Sequence, residues 1–255
     1  MIQNKRLAFI KSRLEDEGMV DVKLLSEQLN VTEKTIRLDL DKLELEGMLT
    51  RVHGGAVPKD QTSIAAYPDM GRRVKNSEQK KAIARKALTL IGENDVILLD
   101  DGSTTLELAK LLGDIKLTVM TNDLMIINEL VCKTNISLYI IGGHVRRDSD
   151  SYIVTGEDAI QFLQKYRVSK LFLGTSTVDI KEGLMIYNYG DNSTKRAFIN
   201  AADTVICLAD SSKFGQTAFT RVASIKEVDV LITDAGISPE VAKEYADQGV
   251  ELILS

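Results

Sequence analysis

The sequence predicts an α/β protein in two parts: a small N-terminal winged helix-turn-helix over residues 1–57 and a larger Rossmann-like α/β domain over residues 77–255, joined by a linker at 58–76. Three observations predict it. Apolar residues recur at helical spacing three times, then give way to two short apolar pieces around a Gly-Gly. Two of the three prolines, Pro58 and Pro68, fall together in a stretch with few large apolar residues. Beyond it, short continuous apolar runs alternate with helical patterns, and small polar residues follow each run.

In chain order, Leu7, Ile10 and Leu14 set the first helix, and Gly18 closes it. Asp21 suits the N-cap of a second helix that carries Leu25 and Leu29 on one face. Asn30-Val31 makes a tight break, and Thr32 suits the N-cap of a third helix with Ile36, Leu40 and Leu43 as its apolar stripe, ended by Gly47. Met48–Val52 and Ala56-Val57, either side of His53-Gly54-Gly55, read as a hairpin. From Ser77 a helix follows with Ile83, Ala87, Leu90 and Ile91 inward. Strands are expected at Val96–Leu99, Leu117–Met120, Leu138–Ile141, Leu171–Leu173, Val205–Leu208 and Val230–Ile232, each buried on both faces of a mainly parallel sheet because none alternates with polar residues.

Composition sets bounds on function. At 44% hydrophobic and 27% charged, the 255-residue chain is ordinary for a globular protein. No run approaches the length of a membrane span, and charges interrupt the N-terminal apolar residues, so a cytoplasmic protein is expected. Cys132 and Cys207 read as buried reduced thiols, and no Cys/His spacing resembles a zinc site, so no metal is expected. The net charge of −5 argues against bulk, non-specific nucleic-acid binding. Even residues 1–57 hold nine Lys/Arg against ten Asp/Glu, so any DNA role must come from how the cations are distributed.

At 100° per residue, with Ile36 toward the core, Lys34, Arg37, Leu38, Asp41 and Lys42 fall on the sides and back of the third helix. Thr35 joins them near its N-terminus, the end that reaches base edges in most helix-turn-helix complexes. Arg37 suits guanine or a phosphate, Leu38 a thymine methyl, and Arg51 and His53 on the hairpin suit the DNA backbone or minor groove. Read as residues alone, the same module serves equally for protein contacts.

The stretch Val31-Thr32-Glu33-Lys34-Thr35-Ile36-Arg37-Leu38-Asp39-Leu40, then Leu43-Glu44, then Gly47 to Ala56, closely resembles the DeoR family of transcriptional regulators. That family usually carries two consecutive arginines in the recognition helix. Here the second is Leu38, which removes one cation from the DNA-facing side. The resemblance continues to about residue 235 and implies double-stranded operator DNA as partner, with a homo-oligomer, dimer or tetramer, reading paired half-sites.

In the second part, Asp100-Asp101-Gly102-Ser103-Thr104-Thr105 opens a helix after a buried strand, a setting that suits a phosphate or a sugar hydroxyl. It is neither a Walker loop nor a dinucleotide fingerprint, so no nucleotide cofactor is expected. Thr121-Asn122, Gly142-Gly143 and Thr175 follow other strands on the same rim, and Lys195 and Lys213 can offer charge to an anion there. A solvated surface charge is the more ordinary reading of Lys195 than of Lys213. The whole second part resembles the DeoR-type sensor domain, related in fold to ribose phosphate isomerases and CoA transferases. The resemblance implies a phosphorylated sugar or related metabolite as an effector that relieves repression. Two positions depart from it: Asp101 stands where a small residue is usual, and Asp191 where a glutamate is common. The competing reading is an isomerase using Asp100, Asp191, Lys195 and Lys213 as base and electrophile, and it leaves the helix-turn-helix without a purpose.

Overall fold

A computed structural model describes residues 3–17, 20–46, 48–52, 54–58, 75–113, 115–147, 152–187 and 192–255. The chain divides into two compact units, Met1–Gly71 and Arg72–Ser255.

The first unit has α1 (Gln3–Glu17), β1 (Val20–Asp21), α2 (Val22–Leu29), α3 (Glu33–Leu45), β2 (Leu49–Val52) and β3 (Gly55–Pro58). Asp21 accepts the Leu24 amide at 2.9 Å to cap α2, and Thr32 accepts the Thr35 amide at 3.2 Å to cap α3. The α3 stripe Ile36, Leu40 and Leu43 is fully buried against Leu7, Ile10, Leu14, Val22 and Leu25. One acid interrupts that apolar face. Asp39 is buried and receives a two-pronged bond from Arg6, Nε to Oδ2 at 2.7 Å and Nη2 to Oδ1 at 3.1 Å, which fastens α1 across α3. The hairpin of β2 and β3 gains a third strand not expected from sequence, because β1 pairs with β3 through Val20↔Ala56. Gly55 permits it: a Cβ there would stand 2.0 Å from the Val20 carbonyl oxygen.

The second unit is built on a seven-stranded parallel sheet. Its elements run α4 (Ser77–Leu88), β4 (Val96–Leu99), α5 (Ser103–Leu111), β5 (Leu117–Thr121), α6 (Leu124–Leu130), β6 (Ile136–Ile140), β7 (His144–Arg147), β8 (Tyr152–Thr155), α7 (Glu157–Leu163) and β9 (Val168–Gly174). They continue with β10 (Thr177–Asp179), β11 (Gly183–Ile186), α8 (Asn192–Ala201), β12 (Ala202–Leu208), β13 (Thr220–Ala223), β14 (Val230–Thr233), α9 (Pro239–Ala246) and β15 (Glu251–Leu254). The strand order is β15-β14-β12-β9-β4-β5-β6. Side chains alternate between two cores. Ile97, Leu99, Val119 and Ile206 face α4, α5 and α6, whereas Leu98, Met120, Leu171 and Cys207 face α7, α8 and α9.

The six strands read from the sequence are all present, and the described residues add six more to this unit: the β7–β8 hairpin, the three strands of the small antiparallel sheet β10-β11-β13, and β15. Two expectations are corrected. β6 is not buried on both faces, because it lies at the edge of the sheet and leaves Tyr139 and Ile140 exposed. Cys132 is exposed in the turn after α6, while Cys207 is buried in β12, where burial pushes its thiol up to about 12.

Candidate functional site

In the first unit, α3 presents Lys34, Arg37, Leu38 and Lys42 to solvent, with Thr35 half-buried at its first turn. Leu38 is 59% exposed, so an apolar side chain stands open on a face of charges. Arg37 bonds Glu33 at 2.6 Å along the exposed helix surface, a pair worth only about 0.3–0.5 kcal/mol and readily exchanged for another anion. Arg51 of β2 is less available than its sequence suggests. It pairs with Asp41 of α3, and its backbone amide donates to Glu44 at 2.8 Å, which locks the hairpin to the helix. His53 lies outside the described residues.

In the second unit the sheet changes direction between β4 and β9: β4, β5 and β6 step one way, and β9, β12, β14 and β15 the other. Open α/β sheets bind ligands beyond the strand ends at such a switch point. A cavity of about 340 Å³ lies there, within the range of small-molecule sites. Gly102, at φ 137°, turns the chain from β4 into α5 and supplies no capping side chain. The first backbone N–H groups of a helix have no partner within it, so this helix start offers donors and a positive dipole end.

Of the residues proposed from sequence, Gly102, Ser103, Thr104, Thr105, Thr175, Lys195 and Lys213 line the cavity. Thr105 and Thr175 donate their hydroxyl protons to backbone carbonyls, Thr105 to Gly102 at 2.8 Å and Thr175 to Thr177 at 2.9 Å. With their protons committed, those two oxygens have only lone pairs left to offer. Lys213 donates to the Thr175 carbonyl at 2.6 Å. Thr121, Asn122, Gly142 and Gly143 are not part of the lining. Thr121 and Asn122 are buried, and Asn122 donates to the Val154 carbonyl at 3.0 Å, holding β8. A Cβ at Gly143 would stand 3.1 Å from the Thr155 carbonyl oxygen.

Lys195 keeps its place in the cavity wall, but not as the solvated charge that is its more ordinary reading. It is buried, not solvated, because α8 turns Thr194, Lys195, Phe198 and Ile199 inward together. That inward stripe was the signal in the sequence. Its ammonium bonds Asp101 at 2.8 Å and pairs more closely with Asp100. Asp100 lies wholly beneath the cavity, also accepting the Gly174 amide at 2.9 Å. Burial, reinforced by Asp101 and opposed by Lys195, pushes the Asp100 carboxyl up to about 8. Lys195 stays cationic, because the two acids outweigh its burial. Asp123, which caps α6, is pushed up to about 6 by burial and by Asp101.

The lining also includes residues not proposed before: Lys75, Asn76, Lys80, Arg146, Asp210 and Ser212. Lys80 could have been found, since it falls on the buried stripe Ile83, Ala84, Ala87 of α4 at helical spacing. Composition alone assigns Lys75 and Asn76 to the linker. Arg146 sits on a strand that the sequence did not suggest. Asp191 lies outside the described residues. With Lys75, Lys80, Arg146, Lys195 and Lys213 against Asp101 and Asp210, cations outnumber acids around the cavity. Such a lining can hold an anion with hydroxyl groups beside it.

Comparison with known proteins places both units. Residues 75–235 match the DeoR C terminal sensor domain, and residues 6–62 match the DeoR-like helix-turn-helix domain. The chain is 39% identical over 233 residues to the uncharacterized HTH-type transcriptional regulator YulB of Bacillus subtilis (strain 168), covering 91% of this chain and 89% of that one. It is 37% identical over 233 residues to the transcriptional repressor AccR of Agrobacterium fabrum, covering 91% and 89%. It is 31% identical to the glycerol-3-phosphate regulon repressor of Escherichia coli (strain K12), over the whole of both chains. Among solved structures, ribose 5-phosphate isomerase A from Methanocaldococcus jannaschii is similar at a TM-score of 0.41 and 19% identity, over 55% of each chain. That likeness is one of fold alone. The three sequence relatives bear the names of transcriptional regulators or repressors.

Proposed function

The chain belongs to the DeoR family of transcriptional regulators, and we propose that it represses sugar-metabolism genes until a phosphorylated sugar or related metabolite occupies the cavity of its second unit. The observation that carries this reading is the lining itself: Lys75, Lys80, Arg146 and Lys213 gathered with the uncapped start of α5 at the switch point of the sheet. Phosphate suits both the cations and a helix N-terminus. The hydroxyl oxygens of Thr105 and Thr175 and the Asp101 carboxylate are acceptors suited to sugar hydroxyls beside that phosphate. The likeness to the glycerol-3-phosphate regulon repressor of Escherichia coli supports a phosphate ester as the class of effector.

On the DNA side, Lys34, Thr35, Arg37, Leu38 and Lys42 form the reading face, with Arg37 the leading base or phosphate contact and Arg51 and His53 at the hairpin. Arg37 exchanges Glu33 for DNA at little cost, and Leu38 takes a thymine methyl. The protein acts in the cytoplasm as a homo-oligomer whose two recognition helices meet two half-sites. No helix among the described residues is long and apolar enough to cross a membrane.

Gel retardation of the protein's own upstream region, with and without a panel of sugar phosphates, tests the whole reading. Specific binding that one phosphate ester releases is expected. Binding that none alters would sink the effector assignment and leave the DNA role standing. Arg37→Ala should weaken specific binding by roughly 1–3 kcal/mol if the guanidinium makes a bidentate base contact; unchanged affinity moves that contact elsewhere on the face.

A further inference from the structure

Lys75 and Asn76 belong to the wall of the cavity, and they stand only a few residues after Arg72, where the second unit begins. Asn76 holds a left-handed backbone, φ 57° and ψ 35°, at the N-cap position of α4, yet its side chain makes no capping bond. Its amide instead donates to Asp210 Oδ1 at 2.8 Å and to Ser212 Oγ at 3.0 Å. A side-chain amide has two N–H donors, and both are committed there. One turn further on, buried Lys80 donates its ammonium to the Lys75 carbonyl at 2.8 Å, and its backbone amide to the Asn76 carbonyl at 3.0 Å. The start of the second unit is thus fastened by groups that themselves line the cavity: Asn76, Lys80, Asp210 and Ser212.

An anion entering this cavity competes for those groups. A phosphate oxygen that takes an Asn76 N–H displaces Asp210 or Ser212. One that draws on Lys80 pulls it from the Lys75 carbonyl. Uncovering Asp210 adds a carboxylate that repels the same anion, so the bonds at Asn76 and the occupancy of the cavity are not independent.

We propose that Asn76 is the coupling residue of this regulator: a phosphate ester in the cavity rearranges the Asn76–Asp210–Ser212 bonds and so resets the backbone at Lys75–Asn76 that leads to the DNA-binding unit. The proposal rests on the reading of the cavity as a phosphate-ester site. It also accounts for a positive φ at a residue whose side chain turns away from its own helix. A ligand shifts a conformational equilibrium only through its differential affinity for the two states, so coupling is measured as a ratio of affinities.

The experiment uses the full chain, its own upstream DNA, and glycerol 3-phosphate, ribose 5-phosphate and fructose 6-phosphate as probes. Each ester is titrated against free and DNA-bound protein, wild type and Asn76→Gly, a change that keeps the left-handed backbone and removes the amide. Allosteric ratios are typically about 5–150-fold. The ratio shown by wild type is expected to collapse to within about twofold of unity in Asn76→Gly, while the ester still binds the free variant measurably, its affinity lowered only by the lost Asn76 contact. An unchanged ratio overturns the proposal. So does a wholesale loss of ester affinity in the variant, which would make Asn76 a binding residue and nothing more. If no ester binds wild type, the phosphate reading of the cavity fails first, and the coupling role with it. Hydrogen exchange on wild type gives a readout that needs no variant: the Lys80 amide should change protection on adding the ester that binds, and equal protection contradicts the proposal.

Discussion

Asp123 caps α6 by accepting the Met125 and Ile126 amides at 2.7 and 3.3 Å, while burial and the nearby Asp101 push its carboxyl up to about 6. The unfolded value is about 3.9, so the folded protein holds more protons between pH ~4 and ~6 and stability falls as pH rises through that window. At about 1.4 kcal/mol per pKa unit the change is about 2–3 kcal/mol. Asp123→Asn caps the helix as well as aspartate does and does not titrate. Urea unfolding of the variant between pH 4 and 7 should lose this slope, and an identical slope would assign the protons elsewhere. Asp100 acts on binding. Above its value of about 8 it places a negative charge beneath the cavity, so phosphate-ester affinity should fall roughly threefold to tenfold from pH 7 to 9. In Asp100→Asn, calorimetry should find that fall gone; a fall of the same size in the variant would contradict the assignment.

At the scale of elements, α3 depends on its cap. Thr32 accepts the Thr35 amide and shares a hydroxyl bond with Thr35 at 2.9 Å. Thr32→Ala should cost about 0.5–2 kcal/mol of first-unit stability and lower operator affinity with it, while Thr32→Ser restores both. Equal urea midpoints for wild type and Thr32→Ala would show the helix start to be held by packing alone. This cap was legible in the sequence because it is local, as were the three helical stripes and the six strands. Elements fixed by distant partners were not. β1 is two residues long and exists only through pairing with β3. β10, β11 and β13 form a small antiparallel sheet whose members lie up to 46 positions apart, from Thr177 to Ala223. The site divides in the same way. The Asp100–Thr105 turn was visible as a polar cluster after an apolar run, and so were Thr175 and Lys213. Arg146 reaches the cavity from β7, whose His-Val-Arg-Arg sequence offers no apolar run to mark a strand, and Asn76 from a segment whose composition reads as linker.

At the scale of the whole molecule, the hydrophobic clusters keep to the unit boundary. Leu7, Ile10, Ile36, Leu40 and Leu43 form one core in the first unit, and the two faces of the parallel sheet form the others in the second. Among the described residues each unit therefore has a hydrophobic core of its own, the condition under which a domain unfolds as its own cooperative step. Calorimetry of the full chain should resolve two transitions. A phosphate ester that binds the cavity stabilises the second unit by RT ln(1 + [L]/Kd), about 2.7 kcal/mol at a hundredfold excess over Kd. For a domain of this size that raises its Tm by roughly 5–10 °C. Operator DNA should raise the other transition and leave the ester-sensitive one in place. Adding ester and DNA together should shrink the DNA-induced shift, because an effector that favours the released state weakens DNA binding by the same factor that DNA weakens its own. A single transition raised by either ligand alone would mean that the two units unfold as one body, and the link between Asn76 and the DNA face would then have to run through a shared core instead of through the connecting chain.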